Sequence, residues 1–263
     1  MCSRPIIAGE DMPVRSLLNF VSRALPPASV VPEGRRIYAV GDIHGRLDLL
    51  ERLLAMIDRD DRRRGLARSE LIFLGDLVDR GPDSRGVVER LMALRAERRV
   101  RFLIGNHEEV FLRAVAGDTR ALRFLTRIGG RETLFSYGIS PEEYRELEYD
   151  ALLAQIQARV PADHIAFLSA FEKWIEVGDY LFVHAGLRPG VAVEDQETSD
   201  LCWIRDDFLR HRESFGKIVV HGHSITEEID EQPNRIGIDT GAFASGRLSA
   251  IGLEGDERWY LST

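Results

Sequence analysis

The chain has 263 residues, 44% hydrophobic and 30% charged, a balance that fits one large folded domain and excludes a disordered polymer. Its formal charge of −8 excludes a general nucleic-acid binder, which needs a surplus of Lys and Arg on one face, but leaves room for a small positive pocket. Two cysteines, Cys2 and Cys202, are too few for a disulfide scaffold and suit a reducing cytoplasm.

No apolar run approaches the ~20 residues that span a bilayer, and no basic stretch is followed by an apolar core, so neither a membrane partner nor secretion is expected. Residues 1–35 hold Pro5, Pro13, Pro26, Pro27 and Pro32 around one short amphipathic stretch and read as a loosely packed N-terminal arm. From Arg36 to Thr263 short apolar runs alternate with helix-period segments, the pattern of a single α/β domain. The strand-length runs are Ile37–Val40, Leu71–Leu74, Val100–Ile104, Tyr180–Val183 and Ile218–Val220, followed by Ile236–Ile238, Leu248–Leu253 and Trp259–Leu261. Leu47–Ile57 and Val87–Leu94 predict helices between the first runs. Residues 110–175 read as a helical insert broken at Gly129-Gly130, Gly138 and Pro161, with a capping box and first-turn proline at Ser140-Pro141-Glu142-Glu143.

Residues capable of chemistry cluster just past the C-terminal ends of the strands. Ile37–Val40 runs into Gly41-Asp42-Ile43-His44-Gly45, and Leu71–Leu74 into Gly75-Asp76-Leu77-Val78-Asp79-Arg80-Gly81. Val100–Ile104 leads to Gly105-Asn106-His107-Glu108, Tyr180–Val183 to His184-Ala185-Gly186, and Ile218–Val220 to His221-Gly222-His223. In open α/β sheets the loops at the C-terminal strand ends converge on one crevice, so five such deliveries of Asp, His and Asn point to a shared metal site. Carboxylate and imidazole donors suit Mn, Fe or Zn, whereas a hard, oxygen-seeking ion such as calcium fits several histidines poorly.

These strings resemble the phosphoprotein phosphatase branch of the calcineurin-like metallophosphoesterases, whose blocks read GDxHG, GDxVDRG and GNHE, followed by separate histidines. The likeness runs from Val40 to about Gly246 and is greatest for compact bacterial and phage members, through Trp203-Ile204-Arg205, Gly222-His223-Ser224 and Ile238-Asp239-Thr240-Gly241. It implies an α-β-β-α fold, two mixed sheets packed face to face and flanked by helices. It implies two divalent cations, Mn²⁺ foremost, with Asp42, His44 and Asp76 on one and Asp76, Asn106, His184 and His223 on the other. The sequence leaves open whether His221 takes the place of His223.

The resemblance further implies that a metal-bridging hydroxide attacks phosphorus directly, that Arg80 and Arg205 bind the phosphoryl group, and that His107, paired with Asp79, protonates the leaving group. The implied substrate is a phosphomonoester, foremost phosphoserine or phosphothreonine in a protein. The alternative is symmetrical hydrolysis of a dinucleoside tetraphosphate by a nearly identical metal site, with residues 110–175 as a lid for adenosine. A metal-free binding protein is the remaining reading, and the intact ligand set argues against it. Gly129-Gly130-Arg131-Glu132-Thr133-Leu134 is either a bend over the site or a break between helices.

Overall fold

Ile37–Val40 has no polar face, and the computed structural model, which describes Met1 and residues 30–263, gives the reason: the strand is covered on both sides. In β1 (Arg35–Val40), Ile37 and Ala39 face a second sheet while Tyr38 and Val40 face helices. β1 pairs in parallel with β2 (Arg68–Phe73), and β2 with β3 (Val100–Phe102). On its other edge β1 runs antiparallel to β9 (Ser249–Glu254), which borders antiparallel β10 (Glu257–Ser262).

The second sheet repeats the plan. β5 (Tyr180–Val183), β6 (Ile218–His221) and β8 (Arg235–Gly237) are parallel, flanked by antiparallel β4 (Trp174–Val177) and β7 (Asp230–Gln232). Along β5 the period of two is plain: Tyr180 and Phe182 enter the core between the sheets, and Leu181 and Val183 enter a core on the outer face. Two five-stranded mixed sheets flanked by helices are thus the architecture, in agreement with the fold expected from the sequence. Two strands have no sequence signal, and both lie at an edge: β4 begins where the helical pattern runs out, and β7 is the polar triplet Asp230-Glu231-Gln232.

Helices α1 (Leu47–Arg64) and α2 (Ser84–Glu97) cover the first sheet, and both extend past the stretches that periodicity marks. Between β3 and β4 lie six helices: α3 (Asn106–Val115), α4 (Thr119–Ile128), α5 (Gly130–Ser136), α6 (Pro141–Glu146), α7 (Tyr149–Arg159) and α8 (Ala162–Ser169). Ser140 accepts from the Glu143 N–H while Glu143 accepts from the Ser140 N–H, so the capping box forms with Pro141 in the first turn. An extra break falls at Gly117-Asp118, where the Asp118 carboxylate caps α4. Short helices α9 (Thr198–Trp203), α10 (Asp206–Leu209) and α11 (Ala242–Ser245) complete the chain; α9 and α10 lie against the second sheet.

Packing begins ahead of the boundary expected at residue 36. The Val30 carbonyl accepts from the Asp179 N–H, and Val31 is buried between the sheets; the proline-rich stretch up to residue 29 lies outside the described residues. No helix among the described residues is long and apolar enough to cross a membrane.

Asp60 of α1 ties this helix to the sheet, accepting from the Tyr38 hydroxyl at 2.7 Å, the Trp259 indole at 2.8 Å and Arg64 at 3.1 Å. Burial raises its pKa, but these three donors outweigh burial and hold it below the ordinary 3.8. A depressed folded-state pKa means the contribution is complete above the unfolded value and is lost as pH falls through the folded one. Asp60→Ala is expected to cost about 2 kcal/mol in denaturant unfolding at pH 7, since the buried Tyr38 hydroxyl loses its acceptor. The difference from wild type should shrink below about pH 4.

Candidate metal centre

Five non-glycine residues among those described have left-handed backbone: His44 (φ 48°), Asp76 (51°), Asp79 (72°), Arg80 (68°) and His223 (62°). Each such residue costs about 1–3 kcal/mol and persists only where its surroundings enforce it. All five lie in the loops after β1, β2 and β6, at the C-terminal ends of these strands. The backbone folds back there immediately after leaving the sheet, which turns the next side chain inward.

Asp76 is the centre of the cluster. Its Oδ2 lies 3.5 Å from His44 Nε2 and 3.8 Å from His107 Nε2, and its Oδ1 lies 3.4 Å from His184 Nε2. Two groups able to hold a cation therefore share this carboxylate: His44, Asp76 and His107, and Asp76, His184 and His223. Asn106 Oδ1 sits between the last two histidines, 3.0 Å from His184 Nε2 and 2.9 Å from His223 Nδ1. Carbonyls hold the rings in place: His44 Nδ1 donates to Val78 and His184 Nδ1 to Leu74, each at 2.8 Å, which turns Nε2 of each ring toward Asp76.

Burial pushes His44 down to about 3 and His223 to about 2, and also lowers His184, which favours the uncharged form that a metal ligand needs. Burial opposes ionisation of Asp76, but the surrounding histidines, His184 first, outweigh it and hold the carboxylate below its ordinary range. His221 stays outside the cluster. Its ring packs edge-on against Phe208 at 4.9 Å and its Nε2 accepts from Arg235 at 3.3 Å.

Asp42 stands slightly apart from the group around His44, where the structure brings His107 instead. Its Oδ2 accepts from the His223 N–H at 3.0 Å, while its buried Oδ1 has no protein partner. Burial, and then Asp239 and Asp76, push Asp42 well up, and burial pushes Asp239 up to about 6. Buried Asp42 Oδ1, Asp239 Oδ2, His107 Nε2 and His223 Nε2 all lack a hydrogen-bond partner, and like-charged carboxylates crowd together. Divalent cations would relieve both costs, so the residues present fit metal.

His107 Nδ1 bonds Asp79 Oδ2 at 2.7 Å, and the other Asp79 oxygen accepts from Thr133 at 2.6 Å. Burial lowers His107, but Asp76 and Asp79 outweigh it, so the ring is held above its ordinary pKa. Arg80 Nη1 reaches His44 Nε2 at 2.8 Å, and its guanidinium lies over the Phe243 ring at 4.8 Å. Its backbone N–H donates to the Gly129 carbonyl, and a Cβ at Gly129 would lie 2.6 Å from Arg80 Cγ. The Gly129–Leu134 segment therefore bends onto the site, with Thr133 against Asp79. Arg205 is exposed, close enough to His184 and His223 to disfavour their charging.

Sequence reasoning passed over Glu108, Thr133, Asp239 and Phe243. Glu108 is fully buried, and its two oxygens accept from the N–H groups of Asp76, Leu77, Val78 and Gly105 at 2.7–3.3 Å. The only signal for it is its place in Gly105-Asn106-His107-Glu108.

Glycine serves here by lacking a side chain: a Cβ at Gly222 would lie 2.0 Å from Asp42 Oδ1, and one at Gly105 2.2 Å from Asp76 Oδ1. Gly222→Ala should displace the Asp42 carboxylate and weaken Mn²⁺ binding by about tenfold or more, as seen when groups supporting metal ligands are disturbed. Isothermal titration of the two proteins reads the difference, and unchanged affinity would remove Asp42 from the ligand set.

Residues 35–244 match the family model for calcineurin-like phosphoesterases. A symmetrical bis(5'-nucleosyl)-tetraphosphatase of Acidovorax sp. (strain JS42) is 37% identical over 159 residues, 60% of this chain and 47% of that protein. An asymmetrical bis(5'-nucleosyl)-tetraphosphatase of Anoxybacillus flavithermus is 24% identical over 230 residues, 81% of this chain and 88% of that protein. The chain spans about half the length of the symmetrical proteins it matches. A crystal structure described as a candidate diadenosine tetraphosphatase superposes with a TM-score of 0.60 at 25% identity, covering 90% of this chain and 96% of that one.

Proposed function

Because this chain belongs to the calcineurin-like phosphoesterase family, we propose that it is a two-cation hydrolase that adds water across the central anhydride of a dinucleoside tetraphosphate, releasing two nucleoside diphosphates. The observation that carries the two-cation reading is Asp76, whose two oxygens each face a different histidine group. Asp42, His44 and Asp76 would hold one ion, and Asp76, Asn106, His184 and His223 the other. Manganese suits this mixture of imidazole nitrogen with carboxylate and amide oxygen, and iron and zinc fit the same donors. Such ions, when bound, polarise a phosphoryl group and acidify water.

The chain's own residues supply the rest. The Arg80 and Arg205 guanidinium groups pair with phosphoryl oxygens through planar, two-point hydrogen bonds. His107 holds its proton on the cleft side at Nε2, and Asp79 on Nδ1 keeps the ring protonated beside cations that would otherwise strip it. Thr133 fixes Asp79 in turn.

The choice of a dinucleotide over the phosphoprotein substrate expected from the sequence is supported by the named relatives, which act on bis(5'-nucleosyl) tetraphosphates. With Mn²⁺, diadenosine tetraphosphate is expected to turn over at least tenfold faster than a phosphothreonine peptide, with ADP as the sole nucleotide product by chromatography. A faster peptide reaction would overturn the substrate class, and ATP with AMP would move the attack to an outer phosphate.

The leaving group makes a second prediction. A nucleoside diphosphate departs with little need of a proton, whereas an alkoxide needs one. His107→Asn should therefore slow a phosphothreonine peptide by about 10²–10⁴-fold, and p-nitrophenyl phosphate and diadenosine tetraphosphate far less. Equal slowing of all three would remove His107 as the acid.

A further inference from the structure

We infer that Phe124 and Trp203 form a stacking wall for a nucleobase at the rim of the metal cleft, so that this chain carries a subsite for the base of a nucleoside diphosphate. The inference rests on the proposed dinucleotide substrate and adds to it the residues that recognise the nucleoside.

Helix α4 buries Ala121, Leu122 and Leu125 on its inner face, and Phe124 stands off that stripe. At 41% exposure it is the only aromatic residue among the exposed large hydrophobic side chains described. Its ring tilts over Trp203 with centroids 5.8 Å apart, and Trp203 in turn stands edge-on to His223 at 6.4 Å. Those two steps put Phe124 no farther than about 12 Å from the His223 ring, a reach that a ribose and two phosphates can span.

The wall is rigid and connected to the phosphate-binding groups. The Trp203 indole N–H donates to Glu109 at 2.9 Å, which fixes the plane of a half-buried ring. Arg205 follows two residues later, exposed, and borders with Trp203 an open surface depression that Arg188, Asp200, Asp206 and Asp207 also line. At its other end α4 holds Arg80, whose N–H and Nε donate to the Gly129 and Ile128 carbonyls. One helix thus runs along the rim from one phosphate arginine to the exposed ring beside the other. Stacking uses the π-face that every base presents, so the subsite does not depend on which base the nucleotide carries.

The test is a titration of the Mn²⁺-loaded protein with ADP, followed by tryptophan emission, with pyrophosphate as the base-free control. ADP is expected to quench emission, and Trp203→Phe to remove most of the quench, leaving Trp174 and Trp259 as reporters. Phe124→Ala should weaken ADP about tenfold with pyrophosphate little changed, and Phe124→Tyr, which keeps a ring, should restore ADP binding. Unchanged ADP affinity in Phe124→Ala, or equal loss for ADP and pyrophosphate, would overturn the subsite and leave Phe124 as a cover for Trp203. Hydrolysis measured alongside separates the two claims. ADP stacked on Phe124 without cleavage of diadenosine tetraphosphate keeps the subsite and sinks the dinucleotide reading. Cleavage with a KM and an ADP affinity that Phe124→Ala leaves unaltered does the reverse.

Discussion

The Glu108 carboxylate holds the site together. It is buried, and backbone N–H groups from two loops satisfy it, Asp76, Leu77 and Val78 after β2 and Gly105 after β3. Burial and the neighbouring Asp76 push its pKa up to about 7, while the N–H groups pull against them. The contacts explain how the left-handed backbone at Asp76 is sustained: three successive amides are pinned to one rigid acceptor. Asp76 in turn accepts from the His107 N–H, so the most central carboxylate and the ring beside it are placed by the same frame.

Close approach is the second constraint, and it separates two uses of glycine. At Gly75 (φ +100°) the backbone conformation itself disfavours a side chain. At Gly105 the backbone is ordinary extended chain, φ −94° and ψ 169°, and a side chain is barred because the Asp76 carboxylate occupies its space. Backbone and carboxylate are packed against each other there with no slack. A site assembled from loops of two sheets thereby acquires the rigidity of a core.

The helices between β3 and β4 do more than cover the first sheet. Thr133 of α5 bonds Asp79, and Gly129 carries the Arg80 backbone on its carbonyl, so this segment holds both the Asp79–His107 pair and Arg80 in place. Phe124, on α4 of the same segment, packs against Trp203.

The sequence by itself determined the strands buried on both faces, because apolar runs such as Leu71–Leu74 need no partner to be recognised. It also determined the residue types that meet at the crevice, because glycine beside Asp, His or Asn after a strand is a local signature. Strands β4 and β7 lack such an apolar run: Glu176 interrupts β4, and β7 is the polar triplet Asp230-Glu231-Gln232. The division into two sheets came from resemblance alone, as pairing joins segments as distant as Arg36 and Glu254. Only the tertiary structure set His221 outside the cluster, placed His107 beside Asp76 as well as Asp79, and packed Glu108 and Thr133 against the loops that carry them. Those assignments depend on which groups lie within a few ångströms through space, and one-dimensional spacing carries no information about such contacts.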